Sequence, residues 1–288
     1  MDGSHRKWSS KSCVCRSTDR SGGFTPPRAK QIRGCIELAH YRKELTLAAL
    51  RSRTMLLTIV LGAALAVGPL FGQSPGTAHP DLNDHGIFQI LAGGKNIGTE
   101  KFDIVASADK VEAKGEIRLR LPQAGKTVEV RSLPALVLDS QLQAQSYTWS
   151  QKGAQSSQLS IDFLPALARA RYKTVKGEED QRDFKLEKDI VVLDDNVLHH
   201  YQLVVARYNL AAAGKQDFHA FIPQEALPGT ISVELVGAEP VTVEGTTVNL
   251  RHLVLSTELT RVDLYVDDQS RLQVVNVPAA DFQAYRKK

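Results

Sequence analysis

From residue 86 onward, apolar and polar residues mostly alternate with a period of two, the habit of half-buried strands. One stretch departs from it. In Asp194 to Gly214, DDNVLHHYQLVVARYNLAAAG, the apolar positions Val197, Tyr201, Val204, Val205 and Tyr208 fall at i, i+4, i+7, i+8 and i+11, which places them on one side of a helix. That face predicts docking on a core. Asp194 and Asp195 stand where side-chain oxygens can cap the first free N–H groups, Arg207 lies near the negative end, and Gly214 can take the left-handed turn that stops the helix. The helix reads as a hinge between two β-rich halves.

Before it, GIFQILA and IGTEKFDIVAS flank Gly93-Gly94-Lys95-Asn96 and predict a hairpin. In EIRLRL, Ile117, Leu119 and Leu121 face one way and Glu116, Arg118 and Arg120 the other; the pattern recurs around Val128 and Val130. Such strands border a core on one face and water on the other, the antiparallel situation. Longer strands follow between residues 136 and 176, with a turn at Lys152-Gly153. Strict alternation there would place Gln141, Gln143, Gln145, Tyr147 and Trp149 on one face, either a ligand-facing wall or a solvated face with an aromatic pair. GEEDQRD reads as a charged loop. After the helix come KQDFHAFIP, TISVELV, PVTVEG, TVNLRHLVLST, RVDLYV and RLQVVNV, broken at Gly237, Glu244-Gly245 and Asp267-Asp268, a meander signature; AADFQAYRKK reads as a helical turn or a frayed tail. The fold expected is mainly β, a strongly curved antiparallel sheet, half-barrel or open barrel, of about a dozen strands. One crossing helix covers its open end or concave face.

Charge changes the picture at the N-terminus. Residues 1–54 hold twelve Lys or Arg against four Asp or Glu, whereas residues 55–288 hold twenty-four against twenty-eight. The basic balance belongs to the leader, and an acidic body offers no electrostatic footprint for nucleic acid. All three cysteines, Cys13, Cys15 and Cys35, lie in that leader, leaving the body neither a disulfide nor a thiolate ligand. Residues 1–54 read as a disordered leader or an untranslated upstream extension, since Met55 is the one methionine besides Met1. From Met55, LLTIVLGAALAVGPLF follows Arg51 and Arg53 and precedes small and polar residues, the layout of a secretory signal over residues 55–78. Its apolar run falls short of a membrane span. No cysteine follows for a lipid anchor. The expectation is an exported protein, periplasmic or secreted, starting between Gln73 and His79, with no stable membrane anchor after cleavage and a single β-rich domain over residues 79–288.

Motifs for nucleophile elbows, phosphate loops, dinucleotide binding and helical zinc sites are missing from the sequence, and no cofactor is indicated. His199 and His200, adjacent on a helix, point about 100° apart, so at most one can join His219 and His252. A zinc centre of His200, His219 and His252 is the metal alternative, with surface histidines as the plainer reading. Asp194-Asp195 and Asp267-Asp268 are sequential acids, which serve more often as caps and turn residues than as a hydrolytic pair.

The hairpin GIFQILAGGKNIGTEKFDI, the middle DDNVLHHYQLVVARY with FHAFIP, and the closing DLYVDDQSRLQVVNV together resemble a loose group of uncharacterised secreted bacterial proteins of the domain-of-unknown-function type. The resemblance covers roughly residues 85–280 and implies a curved half-barrel similar in outline to periplasmic lipoprotein carriers. It implies no catalytic residues. The function expected is a non-catalytic envelope protein holding an apolar ligand such as a lipid or acyl chain, with Val197, Tyr201, Val204, Tyr208, Tyr147 and Trp149 against it. The alternatives are an assembly protein that pairs with an envelope partner through sheet edges, and a hydrolase with a histidine or carboxylate site.

Overall fold

The computed structural model describes residues 82–288 apart from 124, 154, 155, 175, 195, 213 and 259. The basic leader, the signal segment with its cleavage window, and Asp195 lie outside the described residues.

The fold begins as a meander of strands β1 (Asp84–Ala92), β2 (Lys95–Ala106), β3 (Lys110–Gln123), β4 (Lys126–Asp139), β5 (Ala144–Lys152), β6 (Ser157–Leu164), β7 (Leu167–Lys173) and β8 (Glu179–Lys185). The first turn is a two-residue hairpin in which Gly93 and Gly94 have φ of 57° and 68°. Glycine takes both at no steric cost, and this handedness matches the twist of the flanking strands. After the two-residue β9 (Val191–Val192) comes helix α1 (His199–Arg207). The chain then returns through β10 (Lys215–Ile222), β11 (Leu227–Val243), β12 (Thr246–Ser256), β13 (Arg261–Val266), β14 (Leu272–Val277) and β15 (Phe282–Arg286).

Among the described residues all fifteen strands belong to one sheet, ordered β8-β7-β6-β5-β4-β3-β2-β1-β15-β14-β13-β12-β11-β10-β9. The architecture is the curved, mainly antiparallel sheet with one helix that the alternation predicts, with one parallel addition where β9 joins β10. The chain walks outward from β1 to one edge at β8, crosses to the other edge, and walks back to pair β15 with β1 in the middle. Helix α1 sits on that crossing. It is not a hinge between separate halves, because the β1–β15 ladder makes them one sheet. The two ends also meet through side chains: Phe221 on β10 lies 5.3 Å from Phe184 on β8 and 6.3 Å from Phe163 on β6, ring centre to ring centre. The Tyr172 hydroxyl on β7 donates to the Pro223 carbonyl.

One face of this sheet is the core. Ile90, Ala284, Val275, Leu264 and Leu253 form a cross-strand row across β1, β15, β14, β13 and β12, each 1% exposed or less. On the other arm Phe102, Ile104, Val111, Ala113, Ile117, Leu136 and Ile161 continue the buried face. A second, smaller apolar cluster of Val243, Leu250 and Val274 packs with Val241, Tyr265 and Tyr285.

Three segments differ from the sequence reading for local reasons. GEEDQRD is not a charged loop: residues from Glu179 onward form edge strand β8, whose charges pair along β7 through Arg169–Asp183 and Lys173–Glu179. Charged side chains on an edge also discourage pairing with another chain. TISVELV and PVTVEG are a single strand, β11, because Gly237 at φ 149° is absorbed as a register shift against β12 instead of ending the ladder. The tail AADFQAYRKK makes one 3₁₀ turn over Pro278–Ala280 and then the central strand β15.

Candidate functional site

The place where polar chemistry enters the apolar core is the junction of α1 with β2, β3 and β5. Strand β2 points Gly98, Glu100, Phe102 and Ile104 inward, so a carboxylate stands in phase with core residues and is fully buried. A buried charge must be matched by donors, and α1 supplies them. Glu100 accepts the backbone N–H of Leu198 at 2.7 Å, the N–H of His199 at 3.1 Å and the His199 Nδ1–H at 2.5 Å. It thereby neutralises the free N–H groups and positive end of the helix.

That arrangement corrects the expected cap. Asp194 does not cap α1; its carboxylate accepts the Tyr147 hydroxyl at 2.5 Å and the Gln224 backbone N–H at 2.9 Å, tying β5 and the 3₁₀ turn Pro223–Glu225 to the helix entrance. The capping carboxylate comes from Glu100, far away in sequence. The helix also ends earlier than Gly214, because Tyr208 is extended and Asn209 Oδ1 accepts the N–H groups of Ala211 and Ala212, a turn that competes with helix. Arg207 closes the end by donating to the carbonyls of Ile190 and Asp189.

Nor is one face of α1 buried and the other wet. His199, His200, Gln202, Leu203, Val204 and Val205 are all buried, three polar and three apolar. Gln202 is satisfied by β14 and its preceding turn, donating to Ser270 O and accepting from Leu272 N–H. The His199 ring stacks on Phe102 and lies over Gly115, where any Cβ would come within 2.8 Å of His199 Cε1. His200 stands edge-on to Tyr147 and to His199, ring centres 5.7 and 4.9 Å away. Its Nδ1 accepts the Asp194 N–H at 3.3 Å. The Nε2 atoms of both histidines are buried without a hydrogen-bond partner.

The sequence-chosen ligand residues disperse around this junction. Val197 and Val204 are 0% exposed, Tyr208 4% and Tyr147 0%, whereas Tyr201 is half-buried. Trp149 is buried on the same inner face, one strand alternation from Tyr147. No row with the glutamines forms. Gln141 and Gln143 lie in a turn gathered on Asp139, and a bulge opposite Val137 and Leu138 leaves Gln145 exposed and out of phase with Tyr147. Between α1 and the β4 side of the sheet lies a space of about 10 Å³, bounded by Leu136, Leu138, Leu142, Val191, Leu203 and Arg207. A larger open groove of about 560 Å³ crosses the opposite face of β4–β8. It is flanked by Leu133, Ser150, Gln158 and Lys173 on one side and by Thr148, Ser160 and Arg171 on the other.

The zinc alternative is not assembled. His200 is enclosed by Tyr147 and His199, His219 is exposed on β10, and His252 on β12 lies between Asp263 at 2.9 Å and Glu239 at 3.1 Å, stacked on Tyr265. Among the described residues no group of three or more His, Cys, Asp or Glu side chains is placed to hold a metal ion. Asp267 serves as a turn residue, accepting the N–H groups of Gln269 and Arg271. Burial raises the Tyr172 hydroxyl to about 12, with Arg182 opposing and the Asp194 charge adding.

Sequence reasoning missed Glu100 as the centre of the junction. The available signal was an acid in the inward register of Gly98, Phe102 and Ile104.

No family model matches the chain, and no curated protein matches it. A crystal structure of a DUF1089 family protein from Pseudomonas aeruginosa is similar at a TM-score of 0.39 and 12% identity, over 63% of this chain and 90% of that one. A likeness of that degree assigns neither family nor activity.

Proposed function

We propose that residues 79–288 form an exported, non-catalytic binding domain in which an apolar ligand, such as a lipid or acyl chain, competes with α1 for the inner face of the sheet. The observation that carries this reading is the mismatch between an apolar sheet face and the half-polar helix that covers it. Burying His199, His200 and Gln202 costs desolvation that their hydrogen bonds offset only in part, since two imidazole nitrogens are left over. An acyl chain would match the apolar rows of the face better, while the released helix and the Glu100 carboxylate it leaves would regain water. Catalysis is disfavoured because the buried carboxylate and histidines are out of reach of a substrate while α1 is docked. Edge pairing is disfavoured by the charged β8 and the two-residue β9.

The test is non-denaturing mass spectrometry of the domain purified from its native host, with thermal melts against palmitate, oleate and phosphatidylglycerol. A ligand at a hundred times its Kd stabilises the folded state by about 2.7 kcal/mol, so an adduct and a raised Tm are expected. Loosening the junction with Glu100→Gln should increase uptake. A bare mass and an unshifted Tm with all three probes, in both forms of the protein, would refute the reading.

A further inference from the structure

We infer that α1 is an acid-released plug: protonation of His200 undocks the helix and opens the inner face to its ligand. This rests on the ligand reading above and specifies how that site is regulated.

The geometry around His200 leaves no room for an imidazolium. Its Nδ1 accepts the N–H of Asp194, which places the single proton of the neutral ring on Nε2. A second proton must go to Nδ1, where it would face another N–H. Acceptance becomes donor against donor, at the turn that leads into the helix. The groups around the ring offer no relief. On α1 itself, the His199 ring is 4.9 Å away with its Nδ1–H committed to Glu100. From β2, Glu100 is occupied by two backbone N–H groups and that ring. From the entry loop, Asp194 accepts from Tyr147 of β5 and from the Gln224 N–H. Tyr147 presents its ring at 5.7 Å.

Burial first, and the neighbouring His199 second, hold the affinity of His200 for a proton well below that of an ordinary imidazole. Undocked, the ring recovers its usual pKa near 6.5. The proton therefore binds the released helix better than the docked one. Docking is at full strength above about pH 6.5 and weakens as pH falls below it, by up to about tenfold per pH unit for one proton.

Hydrogen exchange of the ligand-free domain, corrected for intrinsic rates, reads the opening constant of each element. Between about pH 6 and pH 5 the constant for α1 amides should rise about tenfold while that for β3 and β12 stays level. His200→Gln, which keeps an acceptor for the Asp194 N–H, should flatten the profile. A level α1 profile in the wild-type protein, or α1 and sheet opening together, would overturn the inference whether or not the variant folds. Acid opening without lipid uptake would keep the plug and remove the ligand; uptake with a pH-independent α1 would do the reverse.

Discussion

Glu100 decides how the interior is arranged, because a buried carboxylate with three donors cannot lose its position without stranding them. Leaving a buried donor unsatisfied costs about 1–3 kcal/mol, so Glu100→Ala should lower the urea midpoint by at least that equivalent, and Glu100→Gln by less. Glycines beside it make the second residue-scale prediction. Gly98→Ala would put Cβ 2.0 Å from the Arg118 carbonyl oxygen, a backbone atom, whereas Gly115→Ala would press on the His199 ring at 2.8 Å. Overpacking costs about 1–3 kcal/mol where neighbours can shift; calorimetry should find the Gly115 change in that range and the Gly98 change larger. Surface pairs behave differently. Lys110 and Lys114 hold the Glu112 carboxyl down to about 2, yet the trio is in water and screened, so replacing Glu112 should leave Tm almost unchanged. Little of this was legible residue by residue. An acid in an inward register hints at burial, but its partners lie almost a hundred positions away.

At the scale of elements the strands were readable wherever one face is wet, as in β3, where Ile117 and Leu119 are buried and Arg118 and Arg120 exposed. They were not readable where that condition fails. Edge strand β8 is exposed on nearly every residue and shows no alternation, and the β5 bulge changes phase in mid-pattern. Helix α1 was found, but its boundaries moved by several residues at each end, because the cap and the stop come from tertiary partners and an Asn209 turn instead of the aspartates and Gly214. Its predicted apolar face is buried except for the half-buried Tyr201, but His199, His200 and Gln202 are buried too, because a helix crossing inside a curled sheet buries polar residues that a surface helix would expose. Tyr147→Phe tests the entrance of this element. Losing a hydrogen bond to a charged group costs about 1.5–3 kcal/mol, and exchange of α1 amides should quicken more than exchange of sheet amides.

The fold as a whole is held by a pairing that local pattern cannot reveal. Strands β1 and β15 lie about two hundred residues apart in the chain, and their ladder joins the two meanders. The Asp84 carboxylate and the Arg286 guanidinium clamp it with a two-pronged ion pair, both side chains largely buried, and Arg286 also lies over Phe88 and Phe102. Arg286→Ala should therefore lower the stability of the entire domain, with one unfolding transition by both far-ultraviolet circular dichroism and Trp149 fluorescence. The same closure explains why α1 is inside: the chain must cross from one sheet edge to the other, and the curled inner face lies along that path. The most direct measurement of the central claim compares hydrogen exchange at neutral pH with and without saturating oleate. Competition predicts faster exchange across His199–Arg207 together with slower exchange of the inner strands β2, β3 and β12. Bound oleate that slows exchange of α1, or leaves it untouched, would contradict it.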